Sequence, residues 1–472
     1  MFLASASGLR KATEIPFGLL VKEVIPKQDE GPSESTEVAL LRLANPDSVG
    51  MSTDAGYFAC PYTTISGVLE MRSLELFSGA GGLALGASRA GFEHLGVVEL
   101  NHDACSSMKE NKRRGMKYIQ QWPIRETDVR SLRYSDYGTD IELLAGGVPC
   151  QPWSQGGNHK GQDDQRNLFP EMIRAVRETQ PKAVLVENVK GLLRQSFSSY
   201  FEYIMLGLSY PELIVKPGES WERHLKRLEK HHTSRRTRGL EYKVTFRLIN
   251  AADYGVPQRR ERVFIVAFRS DLPVEWSFPE PTHSKESLAI SKWVTGEYWD
   301  RHNISKRKRS IPTSRDLNLI SKSDLFTANQ QPWLTVRDAL IGLPEPSLNG
   351  SESWVNHILV PGARSYPGHT GSPLDESSKT LKAGDHGVPG GENTLVMENG
   401  EVRYFTVREA ARIQSFPDEY FFPVAWTESM RQLGNAVPVR LAERVARSIR
   451  DHLLQHYAKT GWKAGARFLK AV

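Results

Sequence analysis

Cys150 follows an apolar run, Ile141 to Ala145, that ends in Gly146-Gly147-Val148-Pro149. A run that stops at Gly-Gly and then Pro reads as a buried strand giving way to a loop, which in open α/β sheets is where ligands bind. A thiol there is placed for nucleophilic chemistry once its thiolate is populated, because a free thiol with pKa ~8.5 is only slightly ionised at neutral pH. The alternative is an inert packing cysteine. A second apolar run, Val184-Leu185-Val186, leads directly into Glu187-Asn188-Val189 and brings a carboxyl to the same sheet edge. Gln258-Arg259-Arg260-Glu261-Arg262 then precedes a third run, Val263 to Phe268. Alternation along an extended chain puts Gln258, Arg260 and Arg262 on one side, where two guanidiniums can face a substrate; surface ion pairs are the other reading.

A separate cluster has the makings of a cofactor site. Phe77-Ser78-Gly79-Ala80-Gly81-Gly82 follows a strand-like run and opens a helical one. Glycine backbone can approach a ligand closely there, and a helix N-terminus favours an electron-rich group. Such a loop could cradle a dinucleotide, an S-adenosyl group or nothing, since tight strand–helix turns need glycine in any case. Glu99 closes the next strand about twenty residues on, where an acid can accept ribose hydroxyls. Asp128, after Glu126-Thr127, ends a further short strand. Singly each acid reads as a turn or helix cap; together they point to an adenosine site.

The elements that must position these groups can be read from periodicity. Strands are expected near 74–77, 95–100, 141–145, 183–187, 244–250 and 262–268, with helices over 81–90, 102–112 and 168–179. That alternation implies βαβ units and an α/β fold with a mostly parallel sheet. After Arg269 the pattern gives way to Pro-, Trp- and Ser-rich sequence up to about Asn399, which reads as a second domain of short strands and long loops. Thr406 is expected to cap a helix running to Gln414, with Glu409 completing a capping box. A last helix, from about Pro438 to His456, carries an apolar stripe on Leu441, Val445, Ile449 and Leu453.

The whole chain bounds these readings. With 472 residues, 39% apolar and 25% charged, it can form two or three domains and is not a wholly disordered protein. Three cysteines, at 60, 105 and 150, have no metal-ligand spacing and make a poor disulfide framework, so a reducing compartment without structural zinc is expected. No stretch approaches the ~18 consecutive apolar residues of a membrane span, and Met1 to Lys27 lacks a signal peptide's apolar core, so the expected location is cytoplasmic. The net charge is +6, yet residues 1–70 carry five Lys/Arg against nine Asp/Glu, so the basicity belongs to the body. It concentrates at 222–247, with nine Lys/Arg against three Glu, and at Arg301 to Arg309, with five and no acid. A polyanion is a reasonable partner for such a body.

Taken in order, these residues resemble the cytosine-5 DNA methyltransferases that use S-adenosylmethionine. The likeness runs through Glu75 to Gly82, Glu99, Asp128, Pro149-Cys150-Gln151, Glu187-Asn188-Val189 and Gln258 to Arg262. It resumes from Arg408-Glu409-Ala410-Ala411-Arg412 to Phe416-Pro417-Asp418 and ends with Gln432-Leu433-Gly434-Asn435-Ala436-Val437-Pro438. The resemblance implies a Rossmann-like, mostly parallel sheet with helices on both faces, plus a smaller, irregular, β-rich target recognition domain. The implied division is an N-terminal extension of unknown role at 1–70, a catalytic and cofactor-binding domain at 71–270, the recognition domain at 271–424, and a C-terminal helical segment at 425–472 that returns to the catalytic domain.

Position by position, it implies that Phe77, Gly79, Gly81, Gly82 and Leu83 line the methyl donor's site, that Glu99 holds its ribose, and that Leu100, Asp128 and Val129 meet adenine. Asn435 would return to the same pocket. Cys150 would add to cytosine C6 while a protonated Glu187 hydrogen-bonds N3, with Arg260 and Arg262 holding the base or polarising its O2. Pro149, Gln151, Ser154, Asn188 and Gln258 would contact the substrate. The target base must leave the stack, and Gln151 to Phe169 reads as a loop that closes over it. The implied partner is double-stranded DNA, held at its phosphates by the Lys/Arg clusters. Motif order and compact length look most like a bacterial modification enzyme, a monomer of a restriction–modification system with a cognate endonuclease. Three rivals remain at this point: a tRNA methyltransferase of the same family, which tends to have a shorter recognition region; a nicotinamide-dependent oxidoreductase, which leaves Cys150 and Glu187 unexplained; and a catalytically silent DNA-binding relative.

Overall fold

The buried apolar runs assemble into one sheet of seven strands. They are β1 (Met71–Leu76), β2 (Phe92–Glu99), β3 (Ile124–Glu126), β4 (Leu143–Gly147), β5 (Ala183–Val189), β6 (Tyr242–Asn250) and β7 (Glu261–Arg269). The computed structural model describes residues 70–149, 167–234, 239–323, 329–365, 370–383 and 393–460. Sheet order is β3-β2-β1-β4-β5-β7-β6. The first five strands pair in parallel, and β7 runs antiparallel between β5 and β6. Strands β4 and β5 are buried almost throughout, as near-continuous apolar runs require when helices cover both faces.

Two helical layers supply that cover. Leu74, Leu76, Val184 and Val186 pack with Met172 and Val176 of α3 (Phe169–Thr179) and with Ile204 of α4 (Ser198–Ser209). On the other face Leu143, Ala145 and Leu185 meet Leu83 and Ala87 of α1 (Gly82–Ala90) and the stripe Leu441, Val445, Ile449 and Leu453. That stripe lies on the long C-terminal helix, Val439–Thr460, whose place against α1 depends on Gly86. A Cβ at Gly86 would stand 2.4 Å from the Ala442 Cβ, so the two helices touch backbone to backbone. The helix α2 (His102–Arg113) follows β2, capped by the Asn101 side chain, which accepts from the Ala104 N–H at 2.8 Å. A hairpin of α4 and α5 (Trp221–Thr233) fills the stretch between β5 and β6, which in the sequence stands out only as a basic segment.

Beyond β7 lie two small sheets, β8 (His283–Ser284) with β9 (Gln331–Pro332), and β10 (Ser372–Pro373), β11 (Thr394–Val396) and β12 (Val402–Tyr404). Short helices join them: α6 (Lys285–Trp293), α7 (Glu297–Arg301), α8 (Ser314–Ser321) and α9 (Val336–Leu340). Among the described residues three more helices follow, α10 (Val407–Ile413), α11 (Trp426–Asn435) and α12, the Val439–Thr460 helix described above. Thr406 and Glu409 form the capping box that opens α10, with the Glu409 carboxylate accepting from the Thr406 N–H at 2.9 Å. The α10–α11 segment belongs to a core that includes Ala84, Leu85 and Met108, so it leans on α1 and α2. Among the described residues no helix is long and apolar enough to cross a membrane. The N-terminal extension, up to residue 69, lies outside the described residues.

Candidate active site

β1 ends at the point where the strand order reverses, with β2 on one side and β4 on the other. Ligands bind at the carboxyl ends of strands at such a point. Phe77 (φ 56°), Gly79 (φ 53°) and Gly81 (φ 77°) all take left-handed backbone there, and the Ser78 hydroxyl and N–H both donate to the Val98 carbonyl. A left-handed Phe is costly and persists only where its surroundings impose it. The Glu99 carboxylate fixes the loop from the next strand, accepting the N–H groups of Gly79 at 2.7 Å, Leu100 at 2.8 Å and Asn101 at 2.7 Å. A carboxylate offers about four acceptor positions, so three backbone donors leave it rigid with room for about one ligand hydroxyl.

Only some of the expected cofactor residues face open space. A Cβ at Gly79 would meet nothing within 4 Å, whereas one at Gly81 would strike the Trp122 ring at 2.8 Å and one at Gly82 the Val437 carbonyl at 2.3 Å. Gly81 and Gly82 are therefore glycine for packing. The Leu83 side chain is buried in the α1–α12 core and Val129 in the core that contains Leu74, Leu76 and Val98. Leu100 is 62% exposed at the end of β2. Asp128 caps a short turn, and its carboxylate is clasped by the Arg130 guanidinium, which lowers its pKa. A polar cavity of about 470 Å³ opens next to it, lined by Arg125, Glu126, Thr127, Ser131 and Arg133 among others. Asn435 ends α11 with its side chain exposed, and the adjoining Val437 backbone abuts Gly82, which brings this distant segment to the glycine loop.

Glu187 and Arg262 meet one strand further along. Gly147 on β4, three residues before Cys150, and Glu187 on β5 are register partners. Asn188 ties the two strand ends together, its Nδ2 donating to the Val148 carbonyl at 3.0 Å while its Oδ1 accepts from the Val189 N–H. Asn188 is thus buried as a brace, where a substrate contact was expected. Pro149 is half-buried; Cys150, Gln151 and Ser154 lie outside the described residues. Arg262, at the start of antiparallel β7, donates from Nε to Glu187 Oε1 at 2.9 Å. Burial pushes the Glu187 carboxyl above the ordinary carboxylate range, and Arg262 and Arg260 pull the other way without reversing it.

The two other residues on the Arg262 side of the basic pentapeptide, Gln258 and Arg260, differ from expectation. Alternation does put Gln258 and Arg260 on one side, but that side is closed. Gln258 is fully buried, with Oε1 accepting from the Leu381 N–H at 3.1 Å. Arg260 is fully buried too, donating to the carbonyls of Leu381 at 3.1 Å, Gly434 at 2.6 Å and Ala436 at 2.9 Å. Of the two guanidiniums expected at the substrate, only Arg262 is hydrogen-bonded to the Glu187 carboxyl. Nothing in the local sequence signals this, because the partner carbonyls lie 121 to 176 residues away. Among the described residues no group of His, Cys, Asp and Glu could hold a metal ion.

The sequence pattern of the C-5 cytosine-specific DNA methylases matches residues 71–210 and 223–451, which takes in all seven strands of the main sheet. The chain belongs to that family. It is a DNA cytosine-5 methyltransferase, and S-adenosylmethionine is its methyl donor. The open Gly79, the anchored Glu99, the exposed Leu100 and the exposed Asn435 fit such a donor. Type II methyltransferase M.NgoMIV of Neisseria gonorrhoeae is 31% identical over 391 residues, covering 81% of this chain and 97% of that protein. Type II methyltransferase M.Eco47II of Escherichia coli is also 31% identical over 391 residues, covering 82% and 80%. A solved structure described as a DNA modification methyltransferase encoded within an E. coli prophage shares the fold, with a TM-score of 0.51 at 21% identity over 82% of this chain and all of that one.

Proposed function

We propose that the enzyme methylates C5 of a cytosine flipped out of a specific duplex sequence, through a transient bond between Cys150 and cytosine C6. The observation that carries this reading is the register of β4 and β5, which sets Glu187 level with the strand end that leads to Cys150, with Arg262 against it. Cytosine C5 is too poor a nucleophile to act unaided. The Cys150 thiolate adds to C6, and the C5–C6 electron pair becomes available at C5 as Glu187 gives its proton to N3. S-adenosylmethionine supplies the electrophilic methyl group. A solvent base takes the C5 proton, which re-forms the C5–C6 double bond and expels the thiolate, and N3 returns its proton to Glu187. Glu187 must therefore start protonated, and a dry pocket is the means of keeping a carboxyl neutral. Arg262, displaced from Glu187 when the base enters, is placed to bind O2.

In this reading Glu99 takes a ribose hydroxyl, Leu100 and Asp128 meet adenine, the glycine loop and Asn435 enclose the donor, and residues 71–270 with 425–472 form the catalytic domain. Residues 271–424 read the target, and the basic segments at 222–247 and 301–309 meet phosphates. The methylation protects DNA from a cognate endonuclease in a restriction–modification pair, the enzyme acting as a monomer in the cytoplasm. The Type II methyltransferases among its relatives support that role. Incubation with unmethylated genomic DNA and tritiated donor is expected to label cytosine C5, with Cys150→Ala silent yet still binding donor. Label appearing in tRNA and not in DNA would overturn the substrate assignment.

A further inference from the structure

Arg260 joins three segments that lie far apart along the chain. Its guanidinium holds Leu381, from the region after β10, and the turn at Gly434 and Ala436 that carries Asn435. Gln258 holds the same residue from its amide side, its Oε1 accepting from the Leu381 N–H at 3.1 Å. Gln414 completes the hold on the turn, donating to the Leu433 carbonyl at 2.5 Å. Thr380 Oγ1 donates to the Arg259 carbonyl at 2.7 Å, and the Arg259 N–H donates to Ser378 at 2.8 Å, so the segment 378–381 runs along the approach to β7. At Gly434 a Cβ would stand 2.3 Å from the Ala383 nitrogen, which means the turn and this segment touch through their backbones. A planar fork reaches several carbonyls at fixed angles; an ammonium group cannot reproduce that geometry.

We infer that Arg260 is a positioning residue that locks the Asn435 turn to the 378–383 segment, so that donor binding and DNA binding reinforce each other through this joint. The inference rests on the reading that Asn435 faces the donor and that the segment belongs to the DNA-reading region. Reciprocity follows from thermodynamics: whatever DNA does to donor affinity, donor does to DNA affinity.

The test uses the full chain. Dissociation constants for S-adenosylmethionine are measured calorimetrically with and without unmethylated duplex DNA, for the wild type, Arg260→Lys, Arg260→Met and Gly434→Ala. The wild type is expected to bind donor at least about fivefold more tightly with DNA present. Arg260→Met and Gly434→Ala should bind donor alone but lose most of that gain, and Arg260→Lys should recover part of it. If Arg260→Met fails to fold, Arg260→Lys and Gly434→Ala still decide. The alkaline side of the pH–rate profile, which belongs to Glu187, should be the same in Arg260→Lys as in the wild type. Full linkage in Gly434→Ala and Arg260→Lys, or no linkage in the wild type, overturns the inference. A wild type that binds no donor at all refutes the underlying reading of the site, and the inference with it.

Discussion

Replacing Glu187 by Gln separates the proton this residue carries from the space it fills. The amide is isosteric, and its oxygen can still accept from Arg262 Nε, now at 2.9 Å from Oε1, so the strand ends should keep their places. What disappears is a proton that can be given to cytosine N3. A positioned acid contributes about 10²- to 10⁴-fold to rate. That corresponds to roughly 3 to 5.5 kcal/mol at ~1.36 kcal/mol per decade. The structure also sets the sign of the pH dependence. Burial raises the Glu187 pKa, so the competent, protonated form persists above the usual carboxyl range and is lost as pH rises through the raised value. Above it the ionised carboxylate stays with Arg262. Steady-state methylation of DNA with tritiated donor, measured across pH, should show an alkaline decline in the wild type that is missing from the residual activity of Glu187→Gln. Turnover within about threefold of wild type, or an unchanged alkaline limb, would refute the argument.

Other expectations follow from packing and charge. Gly86→Leu forces a side chain into the α1–α12 contact and should cost at least ~1–3 kcal/mol, read as a lower urea midpoint; an unchanged midpoint would contradict the close approach at Ala442. Glu99→Gln sets an amide N–H₂ against backbone N–H donors, so donor affinity should fall by about 5- to 150-fold, the equivalent of ~1–3 kcal/mol, in a calorimetric titration. Asp338 is buried, which alone would raise its pKa, but His302, the Thr335 backbone and Arg301 outweigh that and bring it from 3.8 to about 2. Its contribution is present above the unfolded value and lost as pH falls through the folded one. Asp338→Asn should therefore destabilise by roughly 2 kcal/mol at neutral pH, with the difference vanishing near the folded pKa, as followed by thermal melts across pH.

How much of this could be read from residues alone depended on how local the cause was. The Thr406–Glu409 capping box and the Leu441–Leu453 stripe are written within one helix each, and both appear as expected. Strands β4 and β5 announced themselves because burial on both faces leaves a near-continuous apolar run, whereas β3, three residues with two exposed, shows only as the short strand before Asp128. The α4–α5 hairpin escaped because α5 is charged over most of its surface and buries only His224, Leu225 and Leu228. Strands of two or three residues, such as β8 to β12, are too short for any period to show. At the site, the strand-end position of Glu187 was legible, and so was the side of the chain shared by Gln258, Arg260 and Arg262. What that side faces was not. The carbonyls that engage Arg260 arrive from far along the chain, and the packing that closes over Leu83 and Val129 is tertiary.

The bond between Cys150 and cytosine C6 is the claim on which the chemistry rests. Duplex DNA carrying 5-fluorocytosine at every cytosine, mixed with the enzyme and S-adenosylmethionine, should give a denaturation-resistant complex, because fluorine at C5 cannot leave as a proton does. Digestion and mass spectrometry should then place the methylated, fluorinated base on the peptide containing Cys150. DNA that becomes methylated with no cross-link to that peptide would contradict the mechanism.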